Sequence, residues 1–441
     1  MTHAGRVDGP LPLRRITVSL YALFLATGAL QSAILPLLPG LGQRYRLSAT
    51  EAGLLLAAPS VGVLVVSAAV GVLADRLGSR RVALVGAWMI ALSALAQAMP
   101  SLALLFVGRI TFGFAFGVVW TAGLAWLAQA QPGGNSEVLG GAVTSAAIGM
   151  VGGPLAAALV GKAVGLWAPF AAAACLLAVV CAALHATPAA VAGADARAGY
   201  SLRQLASQLR DRPGVLDPAW SLALVGAATG TTQLLAPFAF KRAGMSVSSI
   251  GAAFSAAGAL YILVSGLVAR LGARAATLRV NGLAVLCIAV ACVPAAQSAA
   301  TLAVVASLLL LALPRAAIST IAYPLASRDT AMFGRPGAAI GVLNGTWAAA
   351  MLVAPIAAGM LLQSSGLRLP YLVLVVISAA SGLVLLHRTS GGDHSARSRS
   401  ASDLHAELSG GPDDSASADV SAAMAEPVFS ADVLKGAATP R

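Results

Sequence analysis

Residues 51–99 read EAGLLLAAPSVGVLVVSAAVGVLADRLGSRRVALVGAWMIALSALAQAM, which is two long apolar runs on either side of a short charged loop. The loop, residues 75–81, carries four charged side chains, and outside it the stretch has only Glu51. An α-helix needs about 20 apolar residues to cross the hydrocarbon core of a bilayer. The stretch therefore predicts two membrane-spanning helices joined by a tight turn.

The same pattern continues in both directions along the chain. Of 441 residues, 58% are hydrophobic and 10% are charged, whereas soluble domains carry about 25% charged residues. A transmembrane β-barrel would need alternating strands of ~10 residues, and no such alternation is present. We predict an all-α membrane protein with twelve transmembrane helices, at 16–40, 51–74, 82–99, 102–128, 138–163, 166–186, 216–239, 249–269, 277–296, 299–325, 337–362 and 369–387.

Four short motifs occur twice in the chain, about 200 residues apart. They are TGALQ at 27–31 and TGTTQ at 229–233, LSATEAG at 47–53 and MSVSSIG at 245–251, RLGSR at 76–80 and RLGAR at 270–274, and PLAA at 154–157 and PIAA at 355–358. Consistent order at a similar offset indicates a duplicated six-helix unit. We therefore predict an N-terminal bundle (1–186), a cytoplasmic central loop (187–215), a C-terminal bundle (216–387) and a disordered tail (388–441).

The positive charge lies mostly in the short loops. Fifteen Lys and Arg residues before the tail fall on the side of the two termini, against six on the opposite side. The positive-inside rule then puts both termini in the cytoplasm, with the chain in the cell's inner (plasma) membrane. A net charge of +12 would also suit nucleic-acid binding, but this location accounts for it. We expect a small-molecule substrate and the lipid bilayer as partners, no nucleic acid, and a monomer.

The sequence has no pattern typical of an enzyme. It lacks HExxH, a P-loop, a nucleophile elbow and paired carboxylates, and its four cysteines lie within the sixth and ninth spans, where they suit apolar packing. We expect no metal and no cofactor. A membrane-embedded enzyme or sensor is the remaining alternative from another class, and an attached soluble domain would favour it.

The charged loop resembles a known signature. Read as GVLADRLGSRRVAL (71–84), it is similar to the signature loop of the major facilitator superfamily, matching at Gly71, Leu73, Ala74, Asp75, Arg76, Gly78, Arg80 and Arg81. Gly78 permits the turn, and Asp75 is available to a helix N-terminus or an arginine. Breaking such a contact would give a conformational latch. Alternatively, Arg80 and Arg81 only follow the positive-inside rule.

Spans 4 and 5 extend the resemblance. Span 4 contains RITFG at 109–113, similar to the family's R-x-x-q-G element. Span 5 carries Gly140, Gly149, Gly153 and Pro154 at the spacing of its antiporter motif. Gly149 and Gly153 share a face and predict close helix packing, while Pro154 bends the helix; ordinary small-residue packing is the alternative. The resemblance covers residues 16–387 and is strongest to the twelve-span drug/proton antiporters of the family. It implies the major facilitator fold and transport in the direction of export.

In that family spans 1, 4, 7 and 10 line a central cavity, which implies substrate-binding roles for a few polar residues. These are Gln31, Arg109, Gln233, Arg315 and, from span 11, Asn344; further candidates are Thr27, Thr111, Trp120, Thr229, Thr232, Ser319, Tyr323 and Trp347. An arginine at membrane depth costs at least ~2.5 kcal/mol, which suggests function, although Arg109 could snorkel to the surface. The Gln31 and Gln233 amides could instead bond neighbouring helices.

Two transport functions fit these features. The first is alternating-access export of small amphipathic molecules, such as drugs or metabolites, coupled to protons. Coupling needs a titrating group, and no Asp or Glu lies mid-span. The second is an organic-anion uniporter or exchanger in which Arg109 and Arg315 bind the substrate.

Overall fold

The computed structural model describes residues 10–66, 70–130, 136–187, 213–331 and 336–409. Every regular element within these ranges is helical. Twelve of the helices are long and apolar enough to cross a membrane, so the prediction of an all-α protein with twelve spans is confirmed. We number these spans 1 to 12 in chain order, and call spans 1–6 the N-half and spans 7–12 the C-half.

The helices of the N-half are Pro10–Tyr45, Ala49–Val66, Ser79–Ala98, Leu102–Ala130, Ser136–Ala163 and Ala168–His185. A short helix, Val70–Leu77, lies between spans 2 and 3, and span 4 contains a π-helical turn, Val119–Gly123. The helices of the C-half are Pro213–Arg242, Val247–Leu271, Leu278–Gln297, Thr301–Ala331, Pro336–Ser365 and Arg368–Ser409. Most of the central loop, 188–212, lies outside the described residues.

The repeated motifs form the same structures in both halves. Ser48 and Glu51 form a capping box at the start of span 2, with Ser48 N donating to Glu51 Oε2 over 2.7 Å. Ser246, at the equivalent position, caps span 8 by accepting from Ser249 N at 3.1 Å. Gly78 and Gly272 follow, with φ of 87° and 54°, values that favour glycine. The repetition in sequence is therefore also a repetition of turns and caps.

Packing within the two halves follows one plan. In the N-half span 1 packs on span 5, and span 4 packs on spans 2 and 3. In the C-half span 7 packs on span 11, and span 10 packs on spans 8 and 9. Small residues set the distance between helices: a Cβ atom at Gly28 would collide with Ala146 O, and one at Gly113 with Pro59 O. Each six-span set is thus held together by equivalent contacts.

The halves meet mainly through two pairs of spans, 2 with 11 and 5 with 8, with smaller contacts of span 1 on spans 7 and 8 and of span 2 on span 7. We call the membrane side from which span 1 starts the terminus side, and the opposite side the distal side. Gly53 of span 2 packs on the carbonyl of Pro355, and Gly251 of span 8 packs on that of Pro154, 2.7 Å from its would-be Cβ. Both contacts lie towards the distal side. They pair repeated glycines with repeated prolines, which makes the interface two-fold symmetric.

The chain divides into two compact units, Met1–His387 and Arg388–Arg441. We predicted that the tail is disordered from residue 388, whereas the last helix is described as far as Ser409. No proline occurs between Pro370 and Pro412, and residues such as Ala396, Leu404 and Glu407 favour helix. The remainder, 410–441, lies outside the described residues.

Candidate functional site

A cavity of about 350 Å³ lies between the N-half and the C-half. Eight spans contribute to its wall: 1, 2, 4 and 5 from the N-half and 7, 8, 10 and 11 from the C-half. The expectation named spans 1, 4, 7 and 10, with residues of span 11, and the structure adds spans 2, 5 and 8. The volume falls within the range of small-molecule sites, roughly 300–1,000 Å³.

The structure brings the five predicted substrate-binding residues together on this wall: Gln31, Arg109, Gln233, Arg315 and Asn344. Of the further candidates, Trp120, Thr229, Thr232 and Trp347 also line it. Thr27 faces its own helix, where its hydroxyl donates to Leu23 O at 2.7 Å. Thr111, Ser319 and Tyr323 are not part of the lining.

Arg109 is the least expected side chain of the cavity. It is 3% exposed, and its Nε and Nη1 atoms have no hydrogen-bond partner among the described residues. Its Cζ lies 5.8 Å from the centre of the Phe112 ring. The low exposure shows that the arginine does not snorkel to the surface in this conformation, and no acidic side chain among the described residues pairs with it. A buried, unpaired charge costs several kcal/mol.

Arg315 lies on the C-half wall in a different environment. Its Cζ is 4.8 Å from the centre of the Tyr261 ring and 5.9 Å from that of Trp347. Close by on spans 10 and 11, Tyr323 Oη donates to Asn344 Oδ1 over 2.7 Å. The two rings hold the guanidinium by cation–π contacts and leave its N–H groups available to a ligand.

Gln31 and Gln233 occupy equivalent positions in the two halves. Neither amide forms a hydrogen bond with another described residue. Each offers two donors and one acceptor to the cavity. The two amides can therefore hydrogen-bond a ligand from opposite sides.

Aromatic side chains are more frequent in the cavity wall than in the chain as a whole. Six of the 34 lining residues are aromatic, although Phe, Trp and Tyr are only 5% of the chain. Our expectation included Trp120 and Trp347 but missed Phe112, Phe116, Phe254 and Tyr261. A signal was available in span 4, since 112, 116 and 120 are four residues apart and share a helix face.

The signature loop lies outside the cavity. Gly78 makes the predicted turn, and Arg76 and Arg81 are exposed. Arg80 Nη2 donates to His185 O at 3.1 Å and to Thr187 O at 2.8 Å, at the C-terminal end of span 6. Arg80 is thus more than a marker of membrane orientation, because it binds carbonyls that the end of a helix leaves unsatisfied. The side chain of Asp75 and the packing around Gly71 are outside the described residues. The latch predicted at Asp75 therefore stays a prediction.

The glycines of the antiporter-like motif differ in their surroundings. A Cβ atom at Gly149 would collide with Leu25 O, and one at Gly153 would lie 2.5 Å from Ala29 O, so both pack on span 1. Gly140 has open space around it. Pro154 lines the cavity and contacts Gly251 across the interface. Gly149 and Gly153, the two glycines expected to share a packing face, are therefore the two that pack on span 1.

The charges of the cavity have one sign. Arg109 and Arg315 lie on its wall, and its described lining includes no Asp, Glu or His. Within the described ranges, no group of three His, Cys, Asp or Glu side chains could hold a metal ion. A cavity with two guanidinium groups and three side-chain amides is suited to bind an anion.

Comparison with known proteins agrees with this architecture. A family model described as the Major Facilitator Superfamily matches residues 20–335. Among solved structures, the fold is similar to that of a bacterial homologue of the human lysosomal transporter Spinster, in an inward-facing and unoccupied conformation. That match has a TM-score of 0.67 and 14% sequence identity, and covers 86% of this chain and 98% of that chain. No curated protein sequence matches. The family model covers most of the chain and includes spans 1 to 10, seven of which line the cavity, so the protein belongs to the Major Facilitator Superfamily and is a multi-pass membrane transporter.

Proposed function

We propose that the protein is a secondary transporter of small amphipathic organic anions, which it carries by alternating access through the central cavity. The observation that supports this most directly is Arg109, a nearly fully buried guanidinium that lines the cavity and has no anionic partner among the residues that the structure describes. A substrate carboxylate, sulfonate or phosphate would supply that partner. The apolar side chains of the wall would contact the remainder of the substrate.

The arrangement of the two halves supports the alternating-access part of the proposal. Close contacts between the halves, at Gly53 with Pro355 and at Gly251 with Pro154, lie towards the distal side. Thr50 and Gln363, also on that side, share a hydrogen bond of 3.1 Å. We propose that these contacts close the distal side of the cavity. With both termini in the cytoplasm, as the loop charges predict, this would be an inward-facing conformation, the state named for the solved structure of the Spinster homologue.

Export is the direction that we propose. Its support is the antiporter-like motif of span 5, whose Gly149 and Gly153 pack on span 1 while Pro154 reaches the interface of the halves. We therefore expect substrate to bind from the cytoplasm and to leave on the opposite side of the inner membrane, with the protein acting as a monomer.

Transport in proteoliposomes tests substrate charge. The probes are hexane-1-sulfonate and hexyltrimethylammonium, which share one apolar chain and carry permanent charges of opposite sign. We expect the sulfonate to be transported and the ammonium ion to be excluded, because two guanidinium groups repel a cation in a low-dielectric cavity. Arg109→Gln should reduce sulfonate flux at least tenfold, since a charged hydrogen bond contributes about 1.5–3 kcal/mol.

Arg368→Gln is the matched control, since Arg368 is an exposed arginine at the start of span 12 and outside the cavity. It should transport the sulfonate at the wild-type rate. Transport of the ammonium ion without the sulfonate would refute the proposed substrate class. The same vesicles with a pH gradient test proton coupling, for which the described cavity residues offer no titrating group. Sulfonate flux that depends on the pH gradient would support a proton-coupled exporter.

A further inference from the structure

The aromatic residues of span 4 form one continuous row that begins at Arg109. The Arg109 Cζ atom is 5.8 Å from the centre of the Phe112 ring, the Phe112 and Phe116 centroids are 5.9 Å apart, and Phe116 and Trp120 follow at 5.6 Å. All four residues line the cavity. The row therefore extends from a buried positive charge along one wall towards the terminus side.

The last ring of this row is held in a defined orientation. The planes of Phe116 and Trp120 are within 10° of parallel. The ring of Phe24, fully buried in span 1, meets Trp120 edge-on at 5.3 Å and 81°. Trp120 also belongs to the π-helical turn Val119–Gly123, a feature that often occurs at functional sites.

The opposite wall is aromatic as well. Tyr261 and Trp347 of the C-half line the cavity beside Arg315. Aromatic rings prefer offset-stacked or edge-on partners, and such a pair contributes about 0.5–1.5 kcal/mol beyond the burial of its surface. A flat aromatic ligand could make these contacts on both walls, whereas a saturated ligand of the same shape could only be buried.

We infer that the substrates are aromatic organic anions, whose acidic group binds Arg109 and whose rings pack on Phe116 and Trp120. This inference rests on the proposed function and narrows it from amphipathic anions to aryl anions. A cavity of about 350 Å³ is at the small end of the range for ligand sites, so compounds of one to three rings are expected.

The test compares two ligands that differ only in aromaticity, naphthalene-2-sulfonate and its saturated analogue decahydronaphthalene-2-sulfonate. Both remain charged at neutral pH, which limits passive diffusion through proteoliposomes. The wild-type protein should transport the aromatic compound with a KM roughly two- to tenfold lower than that for the saturated analogue. This ratio corresponds to the free energy that one pair of aromatic rings contributes. Hexane-1-sulfonate serves as the aliphatic reference.

Variants connect this preference to the row of rings. Phe116→Leu and Trp120→Leu keep an apolar side chain but remove the ring, so each should narrow the difference in KM between the two ligands. Phe106→Leu makes the same change on the same span, outside the cavity lining, and should leave the difference unchanged. The comparison of ligands on the wild-type protein remains valid even if a variant fails to fold.

The outcomes separate this inference from the proposal on which it rests. An aryl preference that Phe116→Leu or Trp120→Leu reduces supports the inference. Equal KM values for the two ligands, with hexane-1-sulfonate still transported, would overturn it and leave the proposed function intact. Transport of none of the three sulfonates would overturn both.

Discussion

The close packing of spans 1 and 5 depends on single glycines, and Gly153→Ala is the variant that tests it. The added Cβ would lie 2.5 Å from Ala29 O, where ordinary van der Waals contact begins at 3.4 Å. The two spans would therefore have to separate locally by about 0.9 Å. The obstacle is a backbone carbonyl, so no side-chain rotation can relieve it.

The expected size of the effect follows from two opposing contributions. Alanine favours the helical state over glycine by at most about 1 kcal/mol. Overpacking typically costs 1–3 kcal/mol, and a gap of this width removes up to about half of the dispersion energy of the contacts that it opens. Because a backbone carbonyl cannot rotate away as a side chain can, we take the upper part of the overpacking range. After the gain in helix propensity, the expected net loss in the free energy of unfolding is about 2 kcal/mol.

Thermal unfolding of the purified protein in detergent measures this loss, as a Tm several degrees below that of the wild type. Gly152→Ala is the matched control, since Gly152 is the preceding residue of the same helix and has open space where its Cβ would be. It should unfold at the wild-type temperature or slightly above. Equal Tm values for the two variants would contradict the argument that close contact between spans 1 and 5 stabilises the fold.

Three further predictions concern the signature loop, the cavity and the interface of the halves. Arg80→Gln should lower Tm, because it removes charged hydrogen bonds worth about 1.5–3 kcal/mol, whereas Arg81→Gln should leave Tm unchanged. Equal Tm values for the two variants would contradict the role of Arg80 in binding the end of span 6. Arg109→Met should raise Tm and reduce anion flux, because it removes a buried charge that costs at least ~2.5 kcal/mol. A lower Tm would show instead that the charge has a stabilising partner. Gly251→Ala should disfavour closure of the distal side, so a cysteine introduced into the cavity, in a background without the native cysteines, should be labelled faster from that side. Gly266→Ala, on the same helix with open space around it, is the control and should be labelled at the wild-type rate. A wild-type labelling rate for Gly251→Ala would show that the interface contact is unimportant.

The repeated motifs show how far local sequence could predict this structure. Ser48 and Ser246 cap equivalent helices, and Gly78 and Gly272 both adopt positive φ. Capping and backbone conformation depend on a few adjacent residues. Their recurrence in the chain could therefore be read directly as a recurrence of structure.

Other features could not be read in this way. The sequence predicts a packing face at Gly149 and Gly153 but not the carbonyls that they meet, which are those of Leu25 and Ala29 in span 1. Span 4 includes a π-helical turn at 119–123 that no residue type indicates. Both features depend on the position of neighbouring helices, which a single segment does not encode. The end of the last helix, at Ser409 rather than near residue 387, was missed because low hydropathy marks the end of a membrane span but not of a helix.

The sequence by itself determined that this chain crosses the membrane twelve times, as two related sets of six spans with a surplus of positive charge on one side. These properties follow from the length of each apolar run and from the residues in each loop, and both are local. The tertiary structure decided which side chains share a cavity. It buried Arg109 without an acidic partner among the described residues and placed Tyr261 against Arg315, because the distance between residues on different spans depends on helix packing.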